Sequence, residues 1–307
     1  MPKSTLAAAV LLLASLAGAA EILPEYSGPE RAGQMAEPTN LETSGLAVST
    51  RNPGLLWTHN DSGGVPVLFA LGLNGALRGS VQLQGVANRD WEDVSAFTLD
   101  GQAWLMAAET GDNYAKHAQS ALYVVAEPDA AQLNPAKPLG VLPAYTINFV
   151  YEDGPRDCEA VAVDVRERTV YLLTKRDRPN RLYRLPLAAA PSDRPAVAHC
   201  IGTAWAFPQP DALQRLSPML SIAFGSWPTA MNFMPDGSGA LVLTYGALYF
   251  FPRHEGESWA DALAHQPATL PSFSLPQAEA LAVTPDGNDI YIASERTPLL
   301  LRYTRRK

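Results

Sequence analysis

The sequence predicts an all-β fold, namely a β-propeller of five blades with four strands each. One unit, made of an alternating strand, a turn and a second strand, occurs five times along the chain. Pro-Asp-Gly occurs at matching places in two of these units, at 235–237 and 285–287. Such residues are typical of the turn of a β-hairpin. Several strands are apolar on both faces, as expected where each sheet packs between neighbouring sheets.

The first twenty residues predict a cleaved secretory signal. Lys3 precedes an apolar run over 6–16, and small residues at 17–20 follow it as a peptidase site. The run is too short for a permanent transmembrane helix, although an uncleaved anchor or a buried N-terminal helix is the alternative. We therefore expect residues 21–307 to form one propeller domain, periplasmic or extracellular, without membrane association.

The charge balance argues against nucleic-acid binding. The chain has 23 basic and 31 acidic residues, and loss of the signal removes one lysine and no acid. Basic residues form only short groups, such as Lys175-Arg176 and the last three residues. An acidic protein without a basic patch repels nucleic acid. A small polar or phosphorylated ligand and a monomeric state are the corresponding expectations.

Each unit begins with a small or acidic residue, and we expect its first strand to be the innermost strand of a blade. The first and second strands fall at 44–48 and 55–61, 92–97 and 104–109, 159–163 and 170–176, 229–233 and 240–245, and 279–283 and 289–296. Third strands follow at 67–70, 122–125, 181–185, 248–251 and 299–303, and weaker fourth strands at 80–83, 145–150 and 197–201.

The fifth unit ends after three strands, so a segment between Glu21 and Leu41 is expected to add the fourth strand and close the ring. A Pro-rich insertion at about 205–227 is expected to form a lid, with a short helix near 212–216. If this insertion hides a degenerate copy, the alternative is six blades.

Two cysteines are present, and neither is expected to form a disulfide or a metal site. Cys158 falls at the start of an innermost strand and Cys200 on the outermost strand of the same blade. Strands lie roughly 4.8 Å apart, so three steps across a sheet exceed the reach of a disulfide.

The first residues of the five units should converge on the central channel, because innermost strands run along its axis. Three carboxylates in a narrow channel repel one another unless they are protonated or a cation lies among them. Oxygen ligands without His or Cys favour a hard ion, and Ca²⁺ accepts six to eight oxygens. The alternative is a water-filled channel with its acids paired to arginines. These five residues are Ser44, Glu92, Glu159, Thr229 and Glu279.

This ring of Ser, Glu, Glu, Ser/Thr and Glu, with one residue per blade, resembles the central calcium site of the calcium-activated nucleotidases (soluble apyrases). Those proteins are five-bladed propellers that hydrolyse nucleoside di- and triphosphates. The resemblance implies that the five ring residues bind calcium. The segments Ser44-Gly45-Leu46-Ala47 and 157–161 also resemble bacterial propellers of the esterase-like phytase group. Both resemblances imply a bound calcium ion and a phosphate-containing substrate.

The motif R-D-x-E occurs twice, at 89–92 and at 156–159. Side chains alternate along a strand, so Asp90 should lie on the same side as Glu92, and Asp157 on the same side as Glu159. The aspartates would then bind a second ion or a water nucleophile, while Arg89 and Arg156 face an anionic substrate. The alternative is an Asp–Arg pair that fixes the loop before each blade.

The ends of the second strands should face the same mouth of the channel. A carboxylate there could orient water against a metal-bridged phosphate, and His59 could act as a general base or simply close a turn. The candidate catalytic residues are Asp61, Asp90, Glu109, Asp112 and Asp157. The candidate substrate-binding residues are His59, Asn60, Arg89, Asn113, Arg156, Lys175, Arg176, Glu295 and Arg296.

Two functions remain open from the sequence. The first is an exported, calcium-dependent hydrolase of a phosphoanhydride or phosphoester. The second is a non-catalytic propeller that binds a ligand or a protein and keeps a structural ion in its channel. Propellers carry many unrelated functions, so the fold does not decide between them.

Overall fold

The computed structural model describes residues 25–35, 42–188, 194–209 and 226–306. In these residues the regular structure is almost entirely β-strand, with one short α-helix, α1 (Trp259–Ala264), and one 3₁₀ turn (Ala130–Gln132). Within the same ranges there is no helix that is long and apolar enough to cross a membrane. The expected signal, the expected helix near 212–216 and most of the Pro-rich insertion lie outside the described residues.

The strands form five antiparallel units of four, and in each unit the first strand in the sequence repeat is one edge. The first unit comprises β2 (Thr43–Val48), β3 (Leu55–Asn60), β4 (Val67–Gly72) and β5 (Leu77–Leu83). The second comprises β6 (Trp91–Leu99), β7 (Gln102–Glu109), β8 (Ser120–Ala126) and β10 (Tyr145–Tyr151).

The third unit comprises β11 (Cys158–Asp164), β12 (Thr169–Thr174), β13 (Arg181–Pro186) and β14 (Ala196–Thr203). The fourth comprises β15 (Pro228–Phe233), β16 (Gly239–Thr244), β17 (Leu248–Pro252) and β18 (Ala268–Thr269). The fifth comprises β19 (Ala278–Val283), β20 (Asp289–Ser294), β21 (Leu299–Thr304) and β1 (Glu30–Gln34).

The innermost strands β2, β6, β11, β15 and β19 contact one another in this order, and β19 contacts β2. Buried side chains fill each gap between neighbouring units; Trp57 and Trp91, for example, pack between the first two. The cluster with Leu56, Tyr291 and Leu300 packs the fifth unit against the first. The fold is therefore a β-propeller, with its core distributed between the blades.

The N-terminal strand β1 pairs antiparallel with β21 and is the outermost strand of the fifth unit. Tyr26 reinforces this pairing by donating its hydroxyl to the Gly287 carbonyl at 2.7 Å. At the outer edges, β10 pairs in parallel with β14, and β9 (Leu139–Val141) pairs in parallel with β5. These edge pairings cover strands that would otherwise expose unpaired amides.

Both cysteines are free thiols in the expected places, Cys158 at the start of β11 and Cys200 on β14. The weaker fourth strands expected near 80, 145 and 197 are β5, β10 and β14. The fourth unit ends in the two-residue strand β18, which the sequence pattern did not indicate.

Every innermost strand carries a β-bulge near its start. In each unit, the pairing with the second strand skips one residue, and a bulge of this kind turns the extra side chain away from the ladder. The skipped residues are Ser44, Glu92, Glu159, Thr229 and Glu279. The five first residues of the repeat are thus equivalent in backbone geometry. We call the end of the channel that carries them the polar mouth.

Candidate metal centre at the polar mouth

Five carboxylates meet on one side of the polar mouth, and we call them the acid cluster. One oxygen each from Asp61, Asp90 and Glu92 lies within 4.8 Å of the others, and so does one oxygen each from Glu92, Asp157 and Glu159. Glu92 belongs to both groups and joins them. Glu92 and Glu159 are 3% and 4% exposed, whereas Asp61 and Asp90 are partly exposed, so the cluster is buried at one end and open to solvent at the other.

This crowding shifts the protonation of the cluster. Burial, and after it the charges of Asp90 and Glu159, raise the pKa of Asp61 to about 8. Burial also raises the pKa of Glu159 to about 7, although Lys175 opposes the shift. The pKa of Glu92 is well above its usual range, first from burial and then from Glu159. The cluster therefore needs protons or a cation at neutral pH.

On the other side of the mouth, Lys175 neutralises the acids that the sequence placed in a common ring. Its Nζ donates to Glu159, donates to the Tyr245 hydroxyl at 3.0 Å, and lies 3.9 Å from Glu279 Oε1. Tyr245 in turn donates to Glu279 Oε1 at 2.9 Å. Lys175 was expected to bind substrate, but it is 4% exposed. It contacts Glu159 and Glu279 of the expected ring, and it has no ion pair with Glu92.

The two hydroxyl residues of the expected ring are placed differently. Ser44 donates its Oγ to the Glu92 carbonyl at 3.1 Å and to Glu92 Oε2 at 3.2 Å, so it supports a member of the acid cluster. Thr229 donates its hydroxyl to the Ala278 carbonyl at 2.8 Å and ties β15 to β19. The hydroxyl of Thr229 is therefore used in joining two innermost strands.

In both R-D-x-E motifs, the arginine contacts acids other than the aspartate beside it. Arg89 lies with its Nε 3.2 Å from Glu109 Oε1. Arg156 contacts Asp153 at 3.1 Å and Asp177 at 3.5 Å, and it donates to the Tyr183 hydroxyl. Both arginines thus form structural ion pairs, and Asp90 and Asp157 of the two motifs remain in the acid cluster.

Two of the candidate catalytic acids use both carboxylate oxygens to fix loops. Glu109 accepts the amides of Arg89 at 3.0 Å and Asp90 at 2.8 Å, so it holds the segment that leads into β6. Asp112 accepts the amides of Lys116 and His117 at 2.8 and 2.7 Å. These contacts position the mouth and leave little capacity for orienting water.

His59 is placed away from the open mouth. Its ring is fully buried with its edge toward Trp91, and its Nδ1 lies 3.0 Å from the Asn60 carbonyl. Burial lowers the pKa of His59 to about 4, and Nε2 lacks a hydrogen-bond partner among the described residues. This environment is that of a neutral core histidine.

A cavity of about 290 Å³ lies beside the acid cluster, with Asp157 in its wall. Arg176 also lines it, with Nε 2.6 Å from Asp157 and a second contact to Asn113. Glu295 and Arg296 form their own pair, with Nε 3.7 Å from Oε2, and both contact Gln277. Of the candidate binding residues, Asn113, Arg156 and Arg176 therefore line this cavity, and Arg176 also pairs with Asp157 of the acid cluster.

Gly111 is a residue of this site that the sequence repeat did not single out. A Cβ added at this position would collide with Glu92 Oε1 and with the Asp90 carboxylate. The chain after β7 consequently passes directly over the acid cluster, and a glycine is needed for this close approach. A lone glycine in the word Thr-Gly-Asp gives no such signal in the sequence.

No protein-family model matches this sequence, and no curated protein matches it. Many solved structures are similar to the chain, and two of them illustrate the similarity. The PQQ-bound form of aldose sugar dehydrogenase from Streptomyces coelicolor is 10% identical, with a TM-score of 0.46 over 92% of this chain and 100% of that one. A gluconolactonase from Xanthomonas campestris is 12% identical, with a TM-score of 0.47 over 92% of this chain and 97% of that one. At these values the similarities carry no information on activity.

Proposed function

We propose that this chain is an exported five-bladed propeller that binds one Ca²⁺ in the acid cluster and uses it in the hydrolysis of a phosphoanhydride or phosphoester. The observation that carries the proposal is that two groups of three carboxylates, one fully buried and one partly exposed, share Glu92. The ligands are Asp61, Asp90, Glu92, Asp157 and Glu159, so the ion lies to one side of the ring expected from the repeat.

The donor set fits a hard divalent ion. All five groups offer oxygen, and their number suits the flexible coordination of Ca²⁺. Asp61 Oδ1 and Glu159 Oε2 are buried without a hydrogen-bond partner among the described residues, which is costly unless a ligand contacts them. Among the described residues, Lys175 and Arg176 form ion pairs with the cluster, so its five carboxylates face two positive charges.

The residues around the cluster suit a phosphorylated ligand. When bound, Ca²⁺ would supply positive charge to a phosphoryl oxygen. Arg176 and Asn113 adjoin the cavity next to Asp157 and can donate to the same anion. Asp61 and Asp90 are the partly exposed members of the cluster, so their carboxylates can accept the proton of an attacking water.

The resemblance of the repeated first residues to calcium-activated nucleotidases supports a phosphoanhydride as the substrate class. The rival function is a binding propeller whose ion only locks the blades. The structural roles of Glu109 and Asp112 favour this rival, because they withdraw two of the five candidate catalytic acids.

The test combines thermal unfolding with phosphate release. We expect Ca²⁺, compared with excess chelator, to raise the melting temperature of residues 21–307 by several degrees, through binding to the folded state alone. Asp90→Asn should remove most of this rise, and Gly111→Ala should do so by filling the space between Asp90 and Glu92. Phosphate release from a mixed panel of nucleotides and phosphoesters should require Ca²⁺ and fail in both variants.

Asp100→Asn is the matched control, because Asp100 forms an exposed ion pair with Arg168 and lies outside the acid cluster. This variant should keep the full thermal response and the full activity. A calcium response without phosphate release would favour the binding propeller. Absence of any thermal response to Ca²⁺ would contradict the metal centre itself.

The pH dependence of calcium binding follows from Asp61 and Glu159. Their pKa values are raised to about 8 and about 7, so the folded apoprotein holds protons that the unfolded chain releases near pH 4. Stability without calcium should therefore fall as the pH rises from about 4 to about 8. Calcium must displace these protons, so its stabilisation should grow over the same range.

Melting curves at about pH 6, pH 7 and pH 8, with calcium or with chelator, measure both trends. A calcium stabilisation that is independent of pH would contradict the assignment of Asp61 and Glu159 as ligands.

A further inference from the structure

A second cavity, of about 380 Å³, lies at the opposite end of the channel, which we call the opposite mouth. The acid cluster includes residues near the starts of innermost strands, such as Glu92 and Glu159, whereas this cavity is formed by the later residues of the same strands. All five innermost strands contribute to its wall, through Ala47, Ala96, Ala162, Met231 and Val283. It is therefore a built feature of the propeller axis.

The wall of this cavity is mostly apolar. Phe233 stacks on Trp259 with ring centroids 3.8 Å apart, and both rings line the cavity. Two polar groups interrupt the apolar surface. The Ser95 hydroxyl has no hydrogen-bond partner among the described residues, and Asn232 donates its amide to the Leu281 carbonyl at 3.0 Å, which leaves its own carbonyl oxygen as an acceptor.

Two charged residues line the cavity, Asp164 and Arg166, and each already makes hydrogen bonds to other groups. Asp164 accepts the Trp259 indole N–H and the Arg166 amide, both at 2.8 Å. The Arg166 guanidinium donates to the carbonyls of Asp236 at 3.0 Å and Pro235 at 3.2 Å. Arg166 is exposed, so an ion held against the apolar inner wall would lose its hydration without gaining a buried counter-charge, which is strongly unfavourable.

We propose that the opposite mouth binds an uncharged, largely apolar small molecule that carries one hydroxyl or amide group. The volume lies in the range typical of small-molecule sites, in which an apolar wall provides affinity and a few polar groups fix orientation. Ser95 and Asn232 are the orienting groups. This site is independent of the metal centre and of the proposed hydrolysis.

The test compares two probes of nearly equal shape, 2-naphthalenemethanol and 2-naphthoate, by isothermal titration calorimetry with the mature protein. The alcohol should bind saturably with one site per chain, and the carboxylate at least about tenfold more weakly, because its charge would lose hydration against the apolar wall. Equal affinity for the two probes, or no binding of the alcohol, would overturn the proposal.

Two variants locate the binding. Ala96→Phe should fill the cavity and lower the affinity for 2-naphthalenemethanol by about tenfold or more. Ser95→Ala should lower this affinity by a smaller factor, and its small change in volume preserves the fold. Gly111→Ala, at the polar mouth, should leave this affinity unchanged. If Gly111→Ala lowers the affinity for the alcohol as much as Ala96→Phe does, the alcohol binds elsewhere and the assignment of this cavity is wrong.

Discussion

Replacing Lys175 by methionine is expected to lower the free energy of unfolding by about 3–5 kcal/mol at about pH 8, the cost of removing one partner from a buried ion pair. The Lys175 ammonium contacts Glu159 and Tyr245, and it lies 3.9 Å from Glu279. Although burial acts to lower it, these two glutamates hold the pKa of Lys175 well above its usual range. Its loss would leave the glutamates as uncompensated buried charges.

The sign of the pH dependence separates this electrostatic loss from a packing defect. Lys175 opposes the upward pKa shifts of Glu159 and Glu279, so these pKa values should rise further in the variant. Binding of protons to the two carboxyls would then offset the loss of Lys175 at low pH, and this compensation becomes more costly as the pH rises. The deficit relative to wild type should accordingly be small at the lower pH and grow as the pH rises.

Chemical denaturation at both pH values measures this deficit. Lys116→Met is the matched control, since Lys116 is exposed over the Tyr114 ring and should change stability by less than about 0.5 kcal/mol. Adding Glu279→Gln to Lys175→Met should recover part of the loss at the higher pH. A deficit of equal size at both pH values would show that Lys175 acts by packing alone.

Much of the architecture follows from the repeat. Alternating strands and Pro/Gly turns predicted the β-propeller and the innermost position of the strands that begin near Ser44, Glu92 and Glu159. A sequence repeat reports such features because each blade must bury the same two faces against its neighbours. The propeller fold is confirmed, whereas five blades, export and calcium binding stay predictions.

The geometry of the candidate site was less predictable, because it depends on bulges and on contacts between blades. The alternation rule placed Asp90 and Glu92 on one side of a regular strand, but the ladder skips Glu92 and resumes at Asp93. Likewise, the end of β12 gave no indication that Lys175 turns inward between Glu159 and Glu279. Partners far apart in sequence decide which acids remain free for a cation.

A further consequence of the bulge is the position of Asp93, which had no assigned role in the sequence pattern. The Asp93 carboxylate is 1% exposed and accepts the amides of Val94 at 2.8 Å and Val161 at 2.9 Å. It also accepts a hydrogen bond from the backbone of Met231. One side chain thus joins β6, β11 and β15. The other four units carry Gly or Ala at the equivalent position, so this tie is specific to the second unit.

Asp93→Ala is therefore expected to destabilise the protein by about 3 kcal/mol or more, since each buried amide left without a partner costs about 1–3 kcal/mol. Burial raises the pKa of Asp93 well above its usual range, although the three amide donors act to lower it. Equilibrium denaturation of the variant against wild type, with chelator in both samples, measures the loss without a contribution from calcium.

Asp93→Asn refines the test, because it keeps the size of the side chain while replacing one acceptor oxygen by an NH₂ group. That group would face an amide donor, so Asn should recover little of what Ala loses, and Asp100→Asn at an exposed ion pair should be nearly neutral. If Asp93→Asn were as stable as wild type, the three hydrogen bonds would not be what holds these innermost strands together. Persistence of the deficit in both Asp93 variants would instead identify Asp93 as a structural tie whose loss loosens the blades that supply Glu92 and Glu159.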